Sequence, residues 1–261
     1  MTYNLEKFLK GLEELQIELS DNQIQQFIRY YEMLVEKNKV MNLTAITEFD
    51  EDIEKHFLDS LSLIKVYDLK KEVSVMDMGT GAGFPGIPLK IAFPNLKVTL
   101  ADSLNKRILF LQEVIEELGL KDIEALHARA EELGKNKEHN TLLRKKGLRL
   151  PLRQPDQTFH GIPYFFQAPP LSHEVLQYLL IQVPLSLPVK IGGNFISYKS
   201  GEIEEEVANA KNATFLLGGK MKEVYKFDLY EQKRSFVVID KVKGTPKTYP
   251  KKAGTPTKKP L

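Results

Sequence analysis

The spacing of apolar positions changes character near residue 70. Before it, Leu5, Phe8, Leu9, Leu12 and Leu15 recur every three or four residues, the period of an amphipathic helix. Ser20-Asp21 supplies an N-cap for a second helix over about 23–37, and a third is predicted over 51–66, after a short polar-apolar link at 41–47. His56 and Asp59 stand three apart in that third helix and so share a face. From Glu72 the rhythm becomes strand–helix alternation: strand 73–78, helix to about 93, strand 97–101, helix 106–117, strand 123–127. After a gap follow strand 193–199, helix 202–210 and late strands 221–229 and 235–240. Such alternation predicts an α/β fold, a doubly wound parallel sheet with helices on both faces. The expected organisation is a helical extension (1–66), an α/β domain (67–240) and a tail (241–261).

Residues 139–190 break the rhythm. They hold seven of the fourteen prolines and only two acids, Asp156 and Glu174. The best candidate for a fourth strand, 142–152, is interrupted by four basic residues and a glycine, and proline at this density disfavours a central strand. The segment is expected to be irregular, with only 174–183 reading as a helix.

The chemistry concentrates where the first strand ends. There Asp77 is followed by Gly79, Gly81, Gly83 and Gly86, and a helix begins. A strand opening through glycines into a helix brings bare backbone close to a ligand, which marks a nucleotide or nucleoside cradle. Gly81-x-Gly83-x-x-Gly86 also fits the dinucleotide fingerprint, with Asp102 about 20 residues on as the ribose acid. Two details oppose a dinucleotide. Asp77 would repel a pyrophosphate, and Pro85 lacks the N–H that a phosphate-binding helix start provides. An acid before the glycines suits a ligand with an amino group and no phosphate, such as S-adenosylmethionine.

Composition narrows the classes. The 261 residues, 42% hydrophobic and 28% charged, suit a globular protein. There is no cysteine, which excludes disulfides, thiolate metal sites and a Cys nucleophile, and the five histidines show no metal-ligand spacing. No basic-then-apolar leader and no membrane-length apolar run is present, so the expected address is the cytoplasm, with no membrane or metal partner. The net charge of +2 conceals a division: residues 241–261 carry seven lysines and no acid, leaving −5 elsewhere. Such a tail is either an electrostatic handle for a polyanion or a solvated solubility feature, and Tyr249 among its prolines and lysines tips the reading toward RNA.

Several motifs together resemble the bacterial glucose-inhibited division protein B family. They are Met41-Asn-Leu-Thr-Ala-Ile-Thr47, His56-Phe-Leu-Asp-Ser60, Asp77-x-Gly79-Thr-Gly-Ala-Gly-Phe-Pro-Gly86, Ala101-Asp-Ser103, His127-Ala-Arg-Ala-Glu131, Gly192-Gly193 with Tyr198-Lys199, and Tyr249-Pro with Gly254-x-Pro256-x-Lys258-x-Pro260-Leu261. They occur in family order over about four-fifths of the chain. The resemblance implies a Rossmann-like methyltransferase fold that uses S-adenosylmethionine to methylate guanine N7 in 16S ribosomal RNA, as free RNA or in the small ribosomal subunit, and a monomer is expected. It implies that the backbone at Gly79, Gly81, Gly83 and around Phe84 holds the methionine and ribose portions, with Asp77 anchoring the amino group. It further implies that Asp102 takes ribose hydroxyls and that Ala130 and Glu131 border the adenine.

Two of these residues have a plainer reading: Asp102 as a helix N-cap, and Glu131 as a surface acid. The family's fourth strand ends in an Arg of the cofactor pocket. Here Arg149 stands at the matching distance from Glu131, but its neighbours Leu148 and Leu150 do not match. The chain is also longer than the family usually is, so 139–190 is expected to be either an insertion or a replaced, frame-shifted stretch. On the substrate side, His56 and Asp59 either face the RNA or form a hydrogen-bonded pair that fastens their helix. Lys199 and Arg234 either meet phosphate or are solvated charges. Two other classes compete: an NAD-dependent oxidoreductase, and a catalytically impaired, RNA-binding protein of the same fold.

Overall fold

In the computed structural model the described residues are 3–41, 53–128, 163–166, 189, 191–230, 232–246 and 248. The chain opens with α1 (Glu6–Glu14) and α2 (Asp21–Met41). A capping box starts α2: Ser20 N–H donates to Gln23 Oε1 at 2.9 Å, and Gln23 N–H donates to Ser20 Oγ at 3.4 Å. The third helix, α3 (53–65), is regular nowhere. It is a π-helical turn (Ile53–Leu58), one α turn (Asp59–Leu61) and a 3₁₀ turn (Ser62–Lys65). The Ser60 and Ser62 hydroxyls donate to the carbonyls of His56 (2.5 Å) and Asp59 (2.6 Å), competing with the backbone ladder. Every residue from Phe57 to Leu63 is buried, so packing rather than propensity sets the path.

Among the described residues seven strands form one sheet in the order β3-β2-β1-β4-β5-β7-β6. The strands are β1 (Ser74–Met78), β2 (Lys97–Asp102), β3 (Ile123–His127), β4 (Pro163–Phe166), β5 (Asn194–Ser200), β6 (Gly219–Leu229) and β7 (Gln232–Lys241). The first five run parallel, and the β6–β7 hairpin adds antiparallel strands beside β5. The connecting helices are α4 (Gly86–Ala92), α5 (Asn105–Glu117) and α6 (Glu204–Leu216).

The fourth strand corrects the sequence reading. The sheet does not lack its central member: β4 pairs with β1 on one side and β5 on the other. It lies at Pro163–Phe166; the expected position, 142–152, lies outside the described residues. Pro163 is the first residue of the strand and has no partner on β1, whose pairing begins at Tyr164. A missing N–H is tolerated at that position. Tyr164, Phe165 and Phe166 are strong strand formers hidden among the prolines.

Alternation along the strands divides the core between two faces. Val75, Val98, Leu100, Ile196, Phe236 and Val238 pack with Phe8, Phe27, Tyr30, Phe57 and Leu111 of α1, α2, α3 and α5. Met76, Met78, Phe195, Val237 and Ile239 pack with Ile203, Ala210 and Ala213 at α6. The helical extension therefore shares its core with the sheet. Two glutamines of α2 complete the join: Gln23 Nε2 donates to Ile91 O (2.7 Å) and Ala92 O (3.2 Å), and Gln26 Nε2 donates to Leu118 O (2.8 Å). These carbonyls lie at the ends of α4 and α5, where no helical partner exists.

At the other terminus β7 runs through Lys241, which is buried and donates to Leu217 O and Thr245 Oγ1, each at 2.5 Å. Burial pushes its ammonium down to about 8. Lys241 is thus a structural lysine and not part of the basic tail. Among the described residues no helix is long and apolar enough to cross a membrane.

Candidate nucleoside site at the carboxyl edge of the sheet

The glycine turn after β1 is held from beneath by two buried carboxylates. Asp77 is fully buried. Its Oδ2 accepts from Thr80 Oγ1 at 2.6 Å and from Gly86 N–H at 2.9 Å, clamping both ends of the turn. Its Oδ1 is buried with no hydrogen-bond partner among the described residues. Burial pushes the carboxyl up to about 7; Thr80 and Gly86 oppose that rise and the nearby Asp102 adds to it. Asp102, at the end of β2, accepts from Gly81 N–H (3.0 Å), Leu104 N–H (2.9 Å) and Arg107 Nη1 (3.2 Å). Three donors leave part of its acceptor capacity unused.

The glycines have different tasks. Gly79, Gly81 and Gly83 all have positive φ, at 69°, 61° and 115°. A Cβ on Gly83 would come within 2.7 Å of Ile87, 2.8 Å of Tyr30 Oη and 2.9 Å of Leu111, so this glycine lets the turn pack against the helices. A Cβ on Gly81 would meet nothing nearer than Gly79 O at 3.9 Å, so open space lies there.

The start of α4 settles which ligands the turn suits. Gly86 N–H is taken by Asp77 and Ile87 N–H by Gly83 O (2.7 Å), Pro88 has no N–H, and Leu89 N–H is taken by Pro85 O (3.1 Å). No N–H in the first turn of α4 therefore remains for a pyrophosphate. Open space at Gly81, an unsatisfied carboxylate oxygen and spare capacity on Asp102 fit a ligand that brings an ammonium and hydroxyls. These residues fit S-adenosylmethionine.

Phe84 fastens the turn to the helices. Its N–H goes to Thr80 O (3.0 Å), and its buried ring lies on the His56 ring (centroids 4.5 Å apart, planes at 19°) and near Tyr30. His56 thus backs the glycine turn. Asp59 instead pairs with Arg234, its Oδ1 accepting from Nε at 2.9 Å in a nearly buried bridge. Burial raises the Asp59 carboxyl, against the pull of Arg234. Lys199 forms a similarly shielded bridge with Glu206 on α6, and burial lowers its ammonium against that pairing. Neither Lys199 nor Arg234 is a solvated charge. Ala130, Glu131 and Arg149 lie outside the described residues.

Sequence reasoning missed Thr80, Arg107, Glu206 and the stacking role of His56. Thr80 and Arg107 carry a local signal, since a hydroxyl sits inside the turn and a cation falls one helical turn after Asp102. Glu206 carries none.

A doubly wound sheet with a phosphate-free nucleoside cradle at the carboxyl end of β1 defines a protein of the methyltransferase type. The sequence profile of the GidB family, rRNA small subunit methyltransferase G, matches residues 23–145. Proteins named "Ribosomal RNA small subunit methyltransferase G" are similar over nearly the whole length. That of Lachnoclostridium phytofermentans is 46% identical (97% of this chain, 96% of the relative), and that of Alkaliphilus metalliredigens is 44% identical (96% of each). That of Bacillus cereus is 43% identical over 99% of each chain. The chain belongs to this family. Equal lengths also correct the insertion reading: residues 139–190 add no length to the chain.

Proposed function

We infer that this protein transfers the methyl group of S-adenosylmethionine to N7 of a guanosine in 16S ribosomal RNA. The observation that carries the cofactor half is the glycine turn whose helix offers no free N–H but whose floor holds two carboxylates. Family membership supports the RNA half. When bound, S-adenosylmethionine supplies an electrophilic methyl on sulfur. The N7 lone pair of guanine is free in the major-groove edge, so no proton has to leave before attack. The protein's task is then placement, which is worth several kcal/mol when reacting atoms are held in line (~7 kcal/mol or more in favourable cases).

Position supports the roles of Asp77, Asp102 and the glycines, and the family resemblance supports those of Ala130 and Glu131. Asp77 Oδ1 takes the ammonium of the methionine part, Asp102 takes ribose hydroxyls, and the backbone at Gly79 and Gly81 lets the ligand approach. Ala130 and Glu131 border the adenine. The helical extension, the sheet and the basic tail are one working unit, with the tail contributing RNA affinity. The enzyme acts as a monomer in the cytoplasm. The test is methyl transfer from labelled S-adenosylmethionine to purified small-subunit RNA and to assembled subunits, with the modified base mapped. Label on an adenine, on protein or nowhere would reject the reading.

A further inference from the structure

A second set of polar groups, one buried and two largely shielded, lies on the other face of the sheet. A narrow cleft between β5, β7 and α6 is walled by Phe195, Ile203 and Val207 and contains three polar side chains: Ser197, Lys199 and Glu206. The Ser197 hydroxyl is buried and has no hydrogen-bond partner among the described residues. Lys199 donates to Glu206 Oε1, and neither group has a further partner among the described residues. Two N–H groups of the ammonium and the second carboxylate oxygen therefore remain unused. The cleft itself is only large enough for a water, so a larger ligand would meet the unused capacity of Lys199 and Glu206 at its mouth, where both side chains are partly exposed.

The strand register places this cleft relative to the cofactor turn. Met78 of β1, Phe166 of β4 and Ser197 of β5 form one row across the sheet. Neighbouring strands are about 4.8 Å apart, so Ser197 stands roughly 10 Å from the residue that precedes Gly79. Lys199 lies two residues further along β5, past the last paired residue of β4, at the same carboxyl edge. Glu206 faces it from the first turn of α6.

We propose that Lys199 and Glu206 select guanine by reading the edge of the base opposite N7. The proposal rests on the guanine-N7 reading above. With N7 turned toward the methyl donor, the far edge presents O6 as an acceptor and N1–H and N2–H₂ as donors. The Lys199 ammonium donates to O6, and the Glu206 carboxylate accepts from N1–H and N2–H₂. Adenine has the opposite polarity at the first two of these positions, leaving a shielded cation and a shielded carboxylate facing the wrong groups. The pair is already assembled and shielded, so it costs little to order when the base arrives. Lys199 on this account meets a base and not a phosphate.

The experiment compares RNA transcripts carrying guanosine or inosine, which lacks the N2 amino group, at the mapped methylation position. Wild type is expected to prefer guanosine at least tenfold in kcat/KM. Glu206→Gln should lower guanosine turnover by about a hundredfold and bring the guanosine-to-inosine ratio within threefold of one, with S-adenosylmethionine affinity unchanged by calorimetry. Glu206→Asp, which keeps the charge, should also compress the ratio while Tm stays near wild type; it decides the question if Glu206→Gln does not fold. A ratio that stays at the wild-type value in either folded variant shows that the pair only fastens α6 to β5 and overturns the proposal. If wild type itself methylates no guanosine, the functional reading falls first and the proposal with it.

Discussion

At the β1–β2 end of the sheet the buried charges are two carboxylates, Asp77 and Asp102, held mainly by backbone N–H groups and a threonine hydroxyl, with the partly exposed Arg107 adding one contact to Asp102. At the β5–β7 end they come as opposite pairs, Lys199 with Glu206 and Asp59 with Arg234. The two arrangements have different consequences. Backbone dipoles stabilise a carboxylate without cancelling its charge, so negative potential remains for an ammonium and hydroxyls to complete. An opposite pair cancels most of its own field and acts only through directed hydrogen bonds. The first end therefore suits capture of a cationic nucleoside, and the second suits fastening elements or reading a base.

The strongest way to break this contrast is steric. Gly83→Ala adds a Cβ that meets three side chains within 2.9 Å at a φ of 115°. Overpacking and positive φ together should destabilise the fold by about 3–5 kcal/mol in urea denaturation. Gly81→Asp has room and should leave the fold intact at about 1–2 kcal/mol. It should nevertheless abolish S-adenosylmethionine binding in calorimetric titration, because the side chain occupies ligand space beside Asp77. Unchanged affinity in folded Gly81→Asp would place the ligand elsewhere.

At the other end, Arg234→Leu strands the Asp59 carboxylate, which has 10% side-chain exposure. The expected loss is about 3–5 kcal/mol, much of it recovered when Asp59 is replaced by Leu as well. Thermal unfolding of the two single variants and the double variant measures the coupling. An additive result would show that the pair contributes nothing of its own.

A smaller effect separates the ends by pH. The folded-state Asp77 carboxyl sits at about 7 against an ordinary 3.8, so the folded protein keeps a proton that the unfolded chain has released. Its contribution to stability therefore falls as pH rises from 3.8 to about 7 and is flat above. An ammonium at Oδ1 favours the ionised form, so S-adenosylmethionine should bind more tightly as pH rises toward 8 and release a proton on binding near pH 6. Calorimetry in buffers of different ionisation enthalpy detects that proton, and Asp77→Asn should remove it.

The mildest change is removal of residues 247–261. Five lysines lie there, and each that meets a phosphate contributes about 0.7–0.9 to the slope of log affinity against log salt. The truncated protein should bind ribosomal RNA with a flatter slope and methylate it with little change in kcat. An unchanged slope would make the tail a solubility feature.

What the sequence determined by itself is what local chemistry decides. The helix periodicity of 5–15, the cap at Ser20 and the strand–glycine–helix passage at 74–92 each depend on neighbours within a few residues, and each was legible. The same holds for Asp77 as an acid beneath the glycines and for Pro85 as the sign of a phosphate-free helix start. Only the tertiary structure decided the rest. The Asp59–Arg234 bridge joins residues 175 apart in sequence, and no spacing rule links them. His56 shares a nominal helix face with Asp59, but the π turn and the packing around Phe57 give the two residues different partners. Lys199 reads as an exposed strand-end cation until α6 brings Glu206 over it. The strand Pro163–Phe166 was hidden because proline density measures average local propensity, whereas a central strand is secured by backbone hydrogen bonds to β1 and β5, both remote in sequence.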